Sequence, residues 1–268
     1  MKLVTGASGF LGRALVKRLM SEGETVRAFA RNEGNLKKLK GCEIFPGDVS
    51  DACDVRAAIK GCDGIFHLAA FKHVTLAEES PRACIKTNVT GSMNICEQSI
   101  GKVKFVVSIS TDKAVKVSGV YGASKLLMEE MFRQFDGITK FRVVRYGNVF
   151  YSTGSVLEIW KRQLTRGEDV TITNPEATRF YLSVDQAVDL IFDCLKNSPT
   201  AQPWTNEMKA ISIGALLYAM KKKYDPEGRS KIITTSLDNS ENLHEYITKD
   251  LCSLDAHRWT FEELYEIL

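Results

Sequence analysis

A glycine-rich loop near the start of the chain constrains the fold more than any other feature. Residues 2–5 form a short, largely apolar strand pattern that runs directly into Gly6-x-x-Gly9-x-x-Gly12 and then into a helical pattern. Glycines there permit a tight turn and a close backbone approach, and the helix N-terminus attracts phosphate. The spacing differs from the common Gly-x-Gly-x-x-Gly fingerprint. The flanking strand and helix nevertheless predict a dinucleotide pyrophosphate cradle, formed by Gly6, Ser8, Gly9, Phe10, Leu11 and Gly12.

Strand and helix patterns alternate through the first part of the chain. Apolar runs at 2–5, 25–30, 42–45, 64–68, 104–109 and 141–146 predict strands, and helical periodicity occurs near 34–40, 51–60, 80–99 and 119–136. Near-continuous apolar strands are typical of a parallel sheet covered by helices on both faces. Right-handed connections then give an α/β, doubly wound Rossmann fold with its ligand crevice at the carboxyl ends of the strands.

The alternation ends after Gly147. Helical patterns occupy 155–166, 183–196, 214–224 and 260–268, and short strands are predicted near 170–173, 204–213 and 231–235. We expect an NADP-binding Rossmann domain formed by 1–150 and 183–202. The remainder, 151–182 and 203–268, is predicted to form a small discontinuous substrate-binding lobe over the crevice.

Charge and cysteine usage narrow the classes of function. The net charge of +3 in 268 residues is too small to indicate a nucleic acid or a membrane surface as partner. We interpret the lysine run at 221–223 as a solvated helix face. No apolar run reaches the roughly 18 residues of a membrane span, and no charged-then-apolar leader is visible. Seven scattered cysteines without a Cys-x-x-Cys pair predict reduced thiols in a cytoplasmic protein, with neither disulfides nor a metal site.

Residues at the ends of the second to fourth strands indicate which cofactor binds and what it contacts. Where an NAD site has an acidic residue for the ribose diol, this chain has Arg31, which suits a 2′-phosphate, so NADP is favoured. The alternative is a solvent-exposed Arg31, with Glu33 binding NAD. The other predicted contacts are Asp48 and Val49, placed to touch the adenine, and Ala69 and Ala70, whose small side chains suit a close approach to the cofactor.

A second group of reactive side chains surrounds the end of the fifth strand. Tyr121 and Lys125 are spaced i, i+4 on a predicted helix and therefore share one face. A lysine ammonium near a phenol stabilises the phenolate and lowers the tyrosine pKa from about 10, which makes a general base for an alcohol. Asp112 and Lys113 add an acid and a base that plain alcohol oxidation does not need. The alternative is that these two only form an ion pair in a turn.

These motifs carry a family resemblance. Gly6-x-x-Gly9-x-x-Gly12 with Tyr121-x-x-x-Lys125 resembles the extended short-chain dehydrogenase/reductase superfamily. More narrowly, the chain resembles the inverting UDP-N-acetylglucosamine 4,6-dehydratases and their relatives in capsule biosynthesis, through segments 69–74, 86–89, 110–114, 145–149, 154–156 and 178–180. The triplet Thr111-Asp112-Lys113 is the most specific element, because other sugar-nucleotide dehydratases of the superfamily typically have Asp-Glu there.

The resemblance implies a catalytic cycle. Tyr121, supported by Thr111 and Lys125, takes the proton of the sugar 4-hydroxyl while C4 gives its hydride to NADP⁺. Lys113 removes the C5 proton, and Asp112 protonates the departing 6-hydroxyl. The hydride returns to C6 and a proton reaches C5 from the opposite face, which inverts it. The net reaction is that of a carbon–oxygen lyase.

The resemblance also nominates residues that bind the substrate. Four are expected on its diphosphate and uridine side, namely Asn148, Ser155, Thr171 and Arg179. Glu241 is expected to make a further contact with the substrate. Lys72 and Asn88 are expected near the sugar or its supporting shell, and the alternative for Asn88 is a structural role. Lys72, Tyr121 and Lys125 are also expected to contact the cofactor.

Three positions depart from the pattern of the relatives. Thr153, Asp238 and Asn242 stand where relatives usually have basic residues. Each cation lost beside the diphosphate would weaken its binding by about 1.5–3 kcal/mol if the contact were buried. Arg229 and Lys231 are the candidates to compensate.

Three functions are therefore weighed. The first is a nucleotide-sugar 4,6-dehydratase, with UDP-N-acetylglucosamine the favoured substrate. The second is a nucleotide-sugar 4-epimerase or 4-keto reductase that uses only Thr111, Tyr121 and Lys125. The third is a non-catalytic NADP-binding regulator, which the complete tyrosine–lysine pair argues against. The resemblance further implies a homo-oligomer paired through the helices near 80–99 and 119–136.

Overall fold

The computed structural model describes residues 1–237 and 241–268, so Asp238, one of the three departures, lies outside the described residues. The strands are β1 (Lys2–Thr5), β2 (Val26–Ala30), β3 (Glu43–Pro46), β4 (Gly64–His67), β5 (Phe105–Thr111), β6 (Lys140–Tyr146), β7 (Asn148–Val149), β8 (Val170–Ile172), β9 (Thr178–Leu182), β10 (Ala210–Ser212) and β11 (Ile232–Thr234).

The helices alternate with these strands. They are α1 (Phe10–Ser21), α2 (Glu33–Leu36), α3 (Ala52–Ile59), α4 (Val74–Glu79), α5 (Pro81–Ile85), α6 (Gly91–Ser99), α7 (Val120–Phe135), α8 (Val156–Arg166), α9 (Val184–Asn197), α10 (Ile213–Tyr224) and α11 (Phe261–Ile267). A π-helical turn at Lys86–Thr90 joins α5 to α6, and a 3-10 turn at Asp112–Ala114 follows β5.

The chain divides into two compact units. The first comprises Met1–Tyr146 with Val184–Asn206, and the second comprises Gly147–Ser183 with Glu207–Leu268. Their assignment to cofactor and substrate stays a prediction.

The first unit contains the predicted doubly wound sheet. Within the described residues, six parallel strands pair in the order β3-β2-β1-β4-β5-β6. Successive side chains of a strand point to opposite faces, and Leu3 and Val4 of β1 are both fully buried. Helices therefore cover the sheet on both faces, with α6 packed between α3 and α7, and α1 packed on α9. The α/β fold class is confirmed, and the carboxyl ends of β1, β4 and β5 lie side by side.

In its described residues, the second unit combines short strands with three helices. Here β9 pairs antiparallel with β10 and parallel with β7, and β8 pairs with β11. Its core includes Leu157, Trp160 and Leu164 of α8 and Leu216 and Met220 of α10. Throughout the described chain, no helix has the length and hydropathy needed to span a bilayer.

Several elements differ from the sequence-based prediction. The predicted helix at 80–99 is interrupted by the π-helical turn, and the one at 34–40 shortens to Glu33–Leu36. Strand β5 continues past Ile109 to Thr111 because its whole length pairs with β6. Helix α4 and strand β9 were not predicted. All residues of β9 are buried, a pattern without the period-two alternation that reveals a half-exposed strand.

Candidate active site

The glycine loop lies between β1 and α1. Gly6 has a φ of +67°, in the left-handed region, and a Cβ added there would lie 2.7 Å from the main-chain nitrogen of Ala69. A Cβ on Gly12 would collide with the carbonyl oxygen of Gly6. Gly9 caps α1 and has no side chain to cover the N–H groups of the first turn, which contains Phe10 and Leu11 and follows Ser8. The residues present fit a pyrophosphate held against bare backbone.

Two charged residues follow the neighbouring strands. Arg31 is exposed directly after β2. Asp48 follows β3, and although its partial burial raises its pKa, the hydrogen bond from Ser50 and the nearby charge of Arg31 lower that pKa overall. Glu33, the alternative ribose ligand, pairs with Lys37 at 2.8 Å between Oε1 and Nζ.

The other predicted cofactor contacts occupy different environments. Val49 is buried, close to Gly91 of α6, so its side chain belongs to the core. The main-chain N–H of Ala69 donates to Thr5 Oγ1 at 3.1 Å. Ala70 and Lys72 lie on the segment that follows β4, where both are at least partly exposed.

An acid and a base stand at the end of β5. Thr111 Oγ1 and Lys113 Nζ both donate to Asp112 Oδ1, at 2.8 and 3.0 Å. The ion pair offered as an alternative interpretation is therefore present. Asp112 is fully buried, and its Oδ2 has no hydrogen-bond partner in the described part of the chain. Because a buried polar atom without a partner is costly, this oxygen marks a place suited to a hydroxyl group.

Helix α7 brings Tyr121 to the same group. Its phenol is hydrogen-bonded to Thr111 and lies close to the charges of Asp112 and Lys113. Desolvation raises the pKa of Tyr121 to about 12, while Lys113 and the Thr111 hydrogen bond act to lower it. The expectation that Lys125 lowers the pKa of Tyr121 is wrong in this structure. The cation that acts to lower it is Lys113, and the effect of burial, which raises the pKa, is larger.

Lys125 lies one helical turn after Tyr121 and is buried. Burial lowers the pKa of Lys125 to about 8, and the carboxylate of Glu129, one turn further along α7, acts to raise it. Glu129 accepts hydrogen bonds from Ser110 Oγ at 2.5 Å and Arg145 Nη2 at 2.6 Å. The sequence analysis missed Glu129, although its i+4 spacing from Lys125 was a usable signal.

Asn88 sits in the π-helical turn and is buried. Its Oδ1 accepts the N–H of Phe71 at 2.7 Å, and its Nδ2 donates to Phe71 O at 3.0 Å and Ser124 Oγ at 2.9 Å. These bonds fasten the segment after β4 to α7. They favour the structural alternative for Asn88 over a contact with the sugar.

The second unit contains the predicted diphosphate and uridine residues. Asn148 begins β7, and Ser155 is the N-cap residue of α8 with a buried Oγ that has no partner among the described residues. Thr171 is exposed on β8, and its carbonyl accepts Trp160 Nε1 at 3.0 Å. The unit places three of the predicted polar groups on separate elements.

Arg179, the predicted phosphate clamp, is buried on β9. Its Nη1 donates to the carbonyls of Thr178 at 2.9 Å and Leu243 at 3.1 Å, and its Nη2 lies 3.7 Å from Glu241 Oε2. The two predicted substrate residues therefore contact each other.

The described departure positions, Thr153 and Asn242, and the candidate compensating cations, Arg229 and Lys231, lie in the second unit. Asn242 Nδ2 donates to Glu245 Oε2 at 3.1 Å, and Thr153 is exposed. Arg229 Nε lies 3.6 Å from Asp225 and 3.7 Å from Glu227. Two carboxylates therefore already neutralise the guanidinium that was expected to replace a lost cation beside the diphosphate. Lys231 follows Ser230, and its main-chain N–H donates to Asp169 at 2.8 Å.

Comparison with known proteins gives consistent matches. The family model described as polysaccharide biosynthesis protein matches residues 2–261. An uncharacterized membrane protein of Methanocaldococcus jannaschii is 36% identical over 238 residues, covering 84% of this chain and 72% of that protein. The UDP-N-acetylglucosamine 4,6-dehydratase (inverting) of Campylobacter jejuni is 31% identical over 281 aligned positions, covering 99% and 81%. The UDP-glucose 4-epimerase of Rickettsia conorii is 32% identical over 250, covering 87% and 73%.

Among solved structures, Pen from Bacillus thuringiensis superimposes with a TM-score of 0.92 at 25% identity, covering 99% of this chain and 95% of that one. The similarity therefore extends through both units.

Proposed function

The chain belongs to the polysaccharide biosynthesis protein family, and from that premise we propose that it is a nucleotide-sugar 4,6-dehydratase acting on UDP-N-acetylglucosamine with inversion at C5. It is an enzyme of the extended short-chain dehydrogenase/reductase superfamily. The observation that carries the proposal is the single group formed by Thr111, Asp112, Lys113 and Tyr121 at the end of β5. Loss of water requires an acid and a base in addition to the tyrosine, and both are part of that group.

NADP is the cofactor that we propose. The chemistry it supplies when bound is acceptance of a hydride from C4 and return of that hydride to C6. The N-cap of α1, Gly9, leaves the first-turn N–H groups without a side-chain cap and so supports a close pyrophosphate, and the exposed Arg31 supports a 2′-phosphate. The pairing of Glu33 with Lys37 weighs against Glu33 as a ribose ligand. The dissociation constants of the two cofactors test this choice, and tighter binding of NAD would contradict it.

The protein groups handle the protons. Tyr121 accepts the proton of the 4-hydroxyl, and the hydrogen bond with Thr111 holds its phenol in place. Transfer of one proton from Lys113 to Asp112 within their ion pair leaves a neutral amine and a carboxylic acid. The amine of Lys113 then takes the C5 proton once C4 is a ketone, because the ketone makes that proton acidic. Asp112 gives a proton to the 6-hydroxyl, which leaves as water, and its Oδ2 is the oxygen without another partner in the described chain.

The substrate contacts remain proposals for the second unit. Ser155 is suited to an acceptor or donor role because its buried Oγ lacks a partner among the described residues. Arg179 is suited to a phosphate, although Glu241 faces it at 3.7 Å. A carboxylate there opposes an anion, so we propose that Glu241 moves aside or contacts a hydroxyl of the ligand. Binding of UDP-N-acetylglucosamine to a Glu241→Gln variant tests this: unchanged affinity would remove Glu241 from the site.

A 4-epimerase is the second candidate, because relatives of that name match this chain at a similar identity to the dehydratases, although over a shorter stretch. Epimerisation leaves the 6-hydroxyl in place, so it needs Thr111, Tyr121 and Lys125 but neither Asp112 nor Lys113. Dependence on the acid and the base therefore separates the two activities.

The discriminating experiment replaces both groups, Asp112→Asn with Lys113→Met. We expect the dehydrated product to disappear while C4 oxidation survives, since general acid–base groups contribute about 10²–10⁴-fold each. Lys116→Met is the matched control, a lysine removed from the same loop. Undiminished dehydration by the double variant would contradict the roles of Asp112 as acid and Lys113 as base. A 4-epimer as the only wild-type product would establish the 4-epimerase instead.

We further propose a homo-oligomer in the cytoplasm. Ile85 of α5 and Leu127 of α7 lie in the segments that the resemblance assigns to pairing, and they are 48% and 52% exposed. Sedimentation of the intact chain tests this, and a monomer at micromolar concentration would contradict it.

A further inference from the structure

Thr5 and His67 are register partners on the adjacent parallel strands β1 and β4. Their side chains therefore point to the same face of the sheet, and Thr5 Oγ1 lies 2.8 Å from His67 Nδ1. Both residues are buried, and the other ring nitrogen, Nε2, lies 3.1 Å from Ser92 Oγ at the start of α6. A lone histidine in an apolar strand is predicted from sequence to be a core residue, so no motif pointed to His67.

The directions of these hydrogen bonds follow from counting protons. Ser92 Oγ donates its only proton to the carbonyl of Asn88 at 2.6 Å, because a carbonyl oxygen can only accept. His67 Nε2 must then carry a proton and donate it to Ser92. Burial, with a smaller contribution from the Lys125 charge, lowers the pKa of His67 to about 3, so the ring is neutral and Nδ1 has no proton. Thr5 therefore donates to Nδ1, and its Oγ1 accepts the N–H of Ala69.

The two ends of this series of hydrogen bonds reach the glycine cradle and the helix that carries Tyr121. At one end, Ala69 is the residue whose backbone meets the Gly6 turn of the cradle. At the other end, Asn88 holds both polar groups of the Phe71 backbone and donates to Ser124, which donates to the carbonyl of Tyr121 at 2.7 Å. A series of hydrogen bonds, linked through the main chain and side chain of Asn88, thus joins the cradle to the helix that carries the tyrosine.

We propose that His67, as the Nε2–H tautomer between Thr5 and Ser92, is a positioning residue that couples the glycine cradle to the Asn88 turn and so to Tyr121. The inference rests on the proposed function, since it takes the cradle as the cofactor site. Its role is to fix orientation: from the Ala69 N–H to the Asn88 carbonyl each donor has one acceptor, so shifting either end of that part of the series breaks a hydrogen bond. The consequence is that cofactor affinity and the proton-transfer geometry at Tyr121 depend on the same histidine.

The test uses substitutions on both sides of the ring. Thr5→Val removes the donor to Nδ1 and the acceptor for Ala69 while keeping the shape, and Thr5→Ser restores the hydroxyl. Ser92→Ala removes the acceptor for Nε2. Ser99→Ala is the matched control, because Ser99 is also buried on α6 and donates to the Cys96 carbonyl at 3.1 Å. For each variant we would measure the NADPH dissociation constant, kcat, the KM for UDP-N-acetylglucosamine, and amide exchange at Ala69 and Phe71.

We expect Thr5→Val and Ser92→Ala to weaken NADPH binding by roughly fivefold and to lower kcat by a similar factor, the effect of about one buried hydrogen bond. KM for the sugar nucleotide should change less than about twofold. Thr5→Ser should recover both losses, and Ser99→Ala should leave both within about twofold of wild type. Nitrogen NMR of wild-type His67 should show a proton on Nε2 and no titration between about pH 5 and 9.

A proton on Nδ1, titration of His67 in that range, or Thr5→Val values equal to those of Ser99→Ala would overturn the coupling. If the wild type binds neither NADPH nor NADH, the proposed function fails separately. The tautomer and the exchange rates then decide the coupling: faster exchange at Ala69 and Phe71 in Thr5→Val supports it, and unchanged exchange overturns it.

Discussion

Tyr121 controls the first proton transfer of the proposed cycle, and opposing influences act on its phenol. Desolvation and the charge of Asp112 raise its pKa, whereas the Lys113 ammonium and the hydrogen bond with Thr111 lower it. A base of high pKa is strong but scarcely populated at neutral pH. Lys113 therefore has two proposed tasks in succession: as an ammonium it stabilises the phenolate, and as an amine, after passing a proton to Asp112, it removes the C5 proton.

Substituting Lys113→Met should move the pH dependence of C4 oxidation upward. Loss of the cation raises the pKa of Tyr121, so the phenolate becomes scarcer at any fixed pH below that pKa. The rate there should fall about tenfold if the pKa rises by about one. The measurement is the single-turnover rate of cofactor reduction across pH, which isolates this half of the cycle from elimination. Lys116→Met should leave the profile in place, and an identical profile for Lys113→Met and wild type would show that Lys113 does not act on Tyr121.

Helix α7 arranges Tyr121, Lys125 and Glu129 at successive turns of one face. Glu129 is buried, so the helix is fixed to β6 by the ion pair with Arg145 and to β5 by the hydrogen bond from Ser110. A buried pair of this kind costs much to break, because the remaining ion has no water to replace its partner.

Glu129→Gln should lower the free energy of unfolding by about 3–5 kcal/mol, as expected when one member of a buried ion pair is removed. It should also lower the pKa of Lys125 further, since the Glu129 carboxylate acts to raise it. Glu130→Gln is the matched control on the next residue, whose pair with Arg133 is exposed and should contribute less than about 0.5 kcal/mol. Urea unfolding of the two variants makes the comparison, and equal losses would contradict a special role for Glu129.

Local sequence predicted the elements whose pattern is self-contained. The apolar runs of β1 and β4 and the glycines between β1 and α1 specify strand, turn and helix within a few residues. The π-helical turn at Lys86–Thr90 could not be predicted, because Lys86, Thr87 and Asn88 carry no breaker. The turn is instead accompanied by the buried bonds that Asn88 makes with Phe71 and Ser124, residues distant along the chain.

At the scale of the whole molecule, the resemblance to the extended short-chain dehydrogenase/reductases and the inverting dehydratases is confirmed by the family match and by the Campylobacter jejuni relative. The sequence nominated the acid, the base, the tyrosine and the lysine because each belongs to a short motif. It assigned no role to His67, Glu129 or Arg145, whose contacts arise only when separate strands meet.

In the second unit too, contacts between residues distant along the chain could not be predicted from short motifs. Arg179 looked like a phosphate clamp from its motif, and the fold engages it with two backbone carbonyls and Glu241. Leu243 and Glu241 come from a segment far along the chain from Arg179, so local spacing carried no information about them.

NMR of the reaction product distinguishes dehydration with inversion at C5 from the other proposed activities. The wild-type chain is incubated with UDP-N-acetylglucosamine and catalytic NADP⁺ in D₂O, and the sugar is followed by NMR. We expect a 4-keto-6-deoxy product with deuterium at C5 and inverted geometry there, because a solvent-derived deuteron reaches C5 from the opposite face. A product that keeps its 6-hydroxyl, or one with C5 retained, would contradict the account.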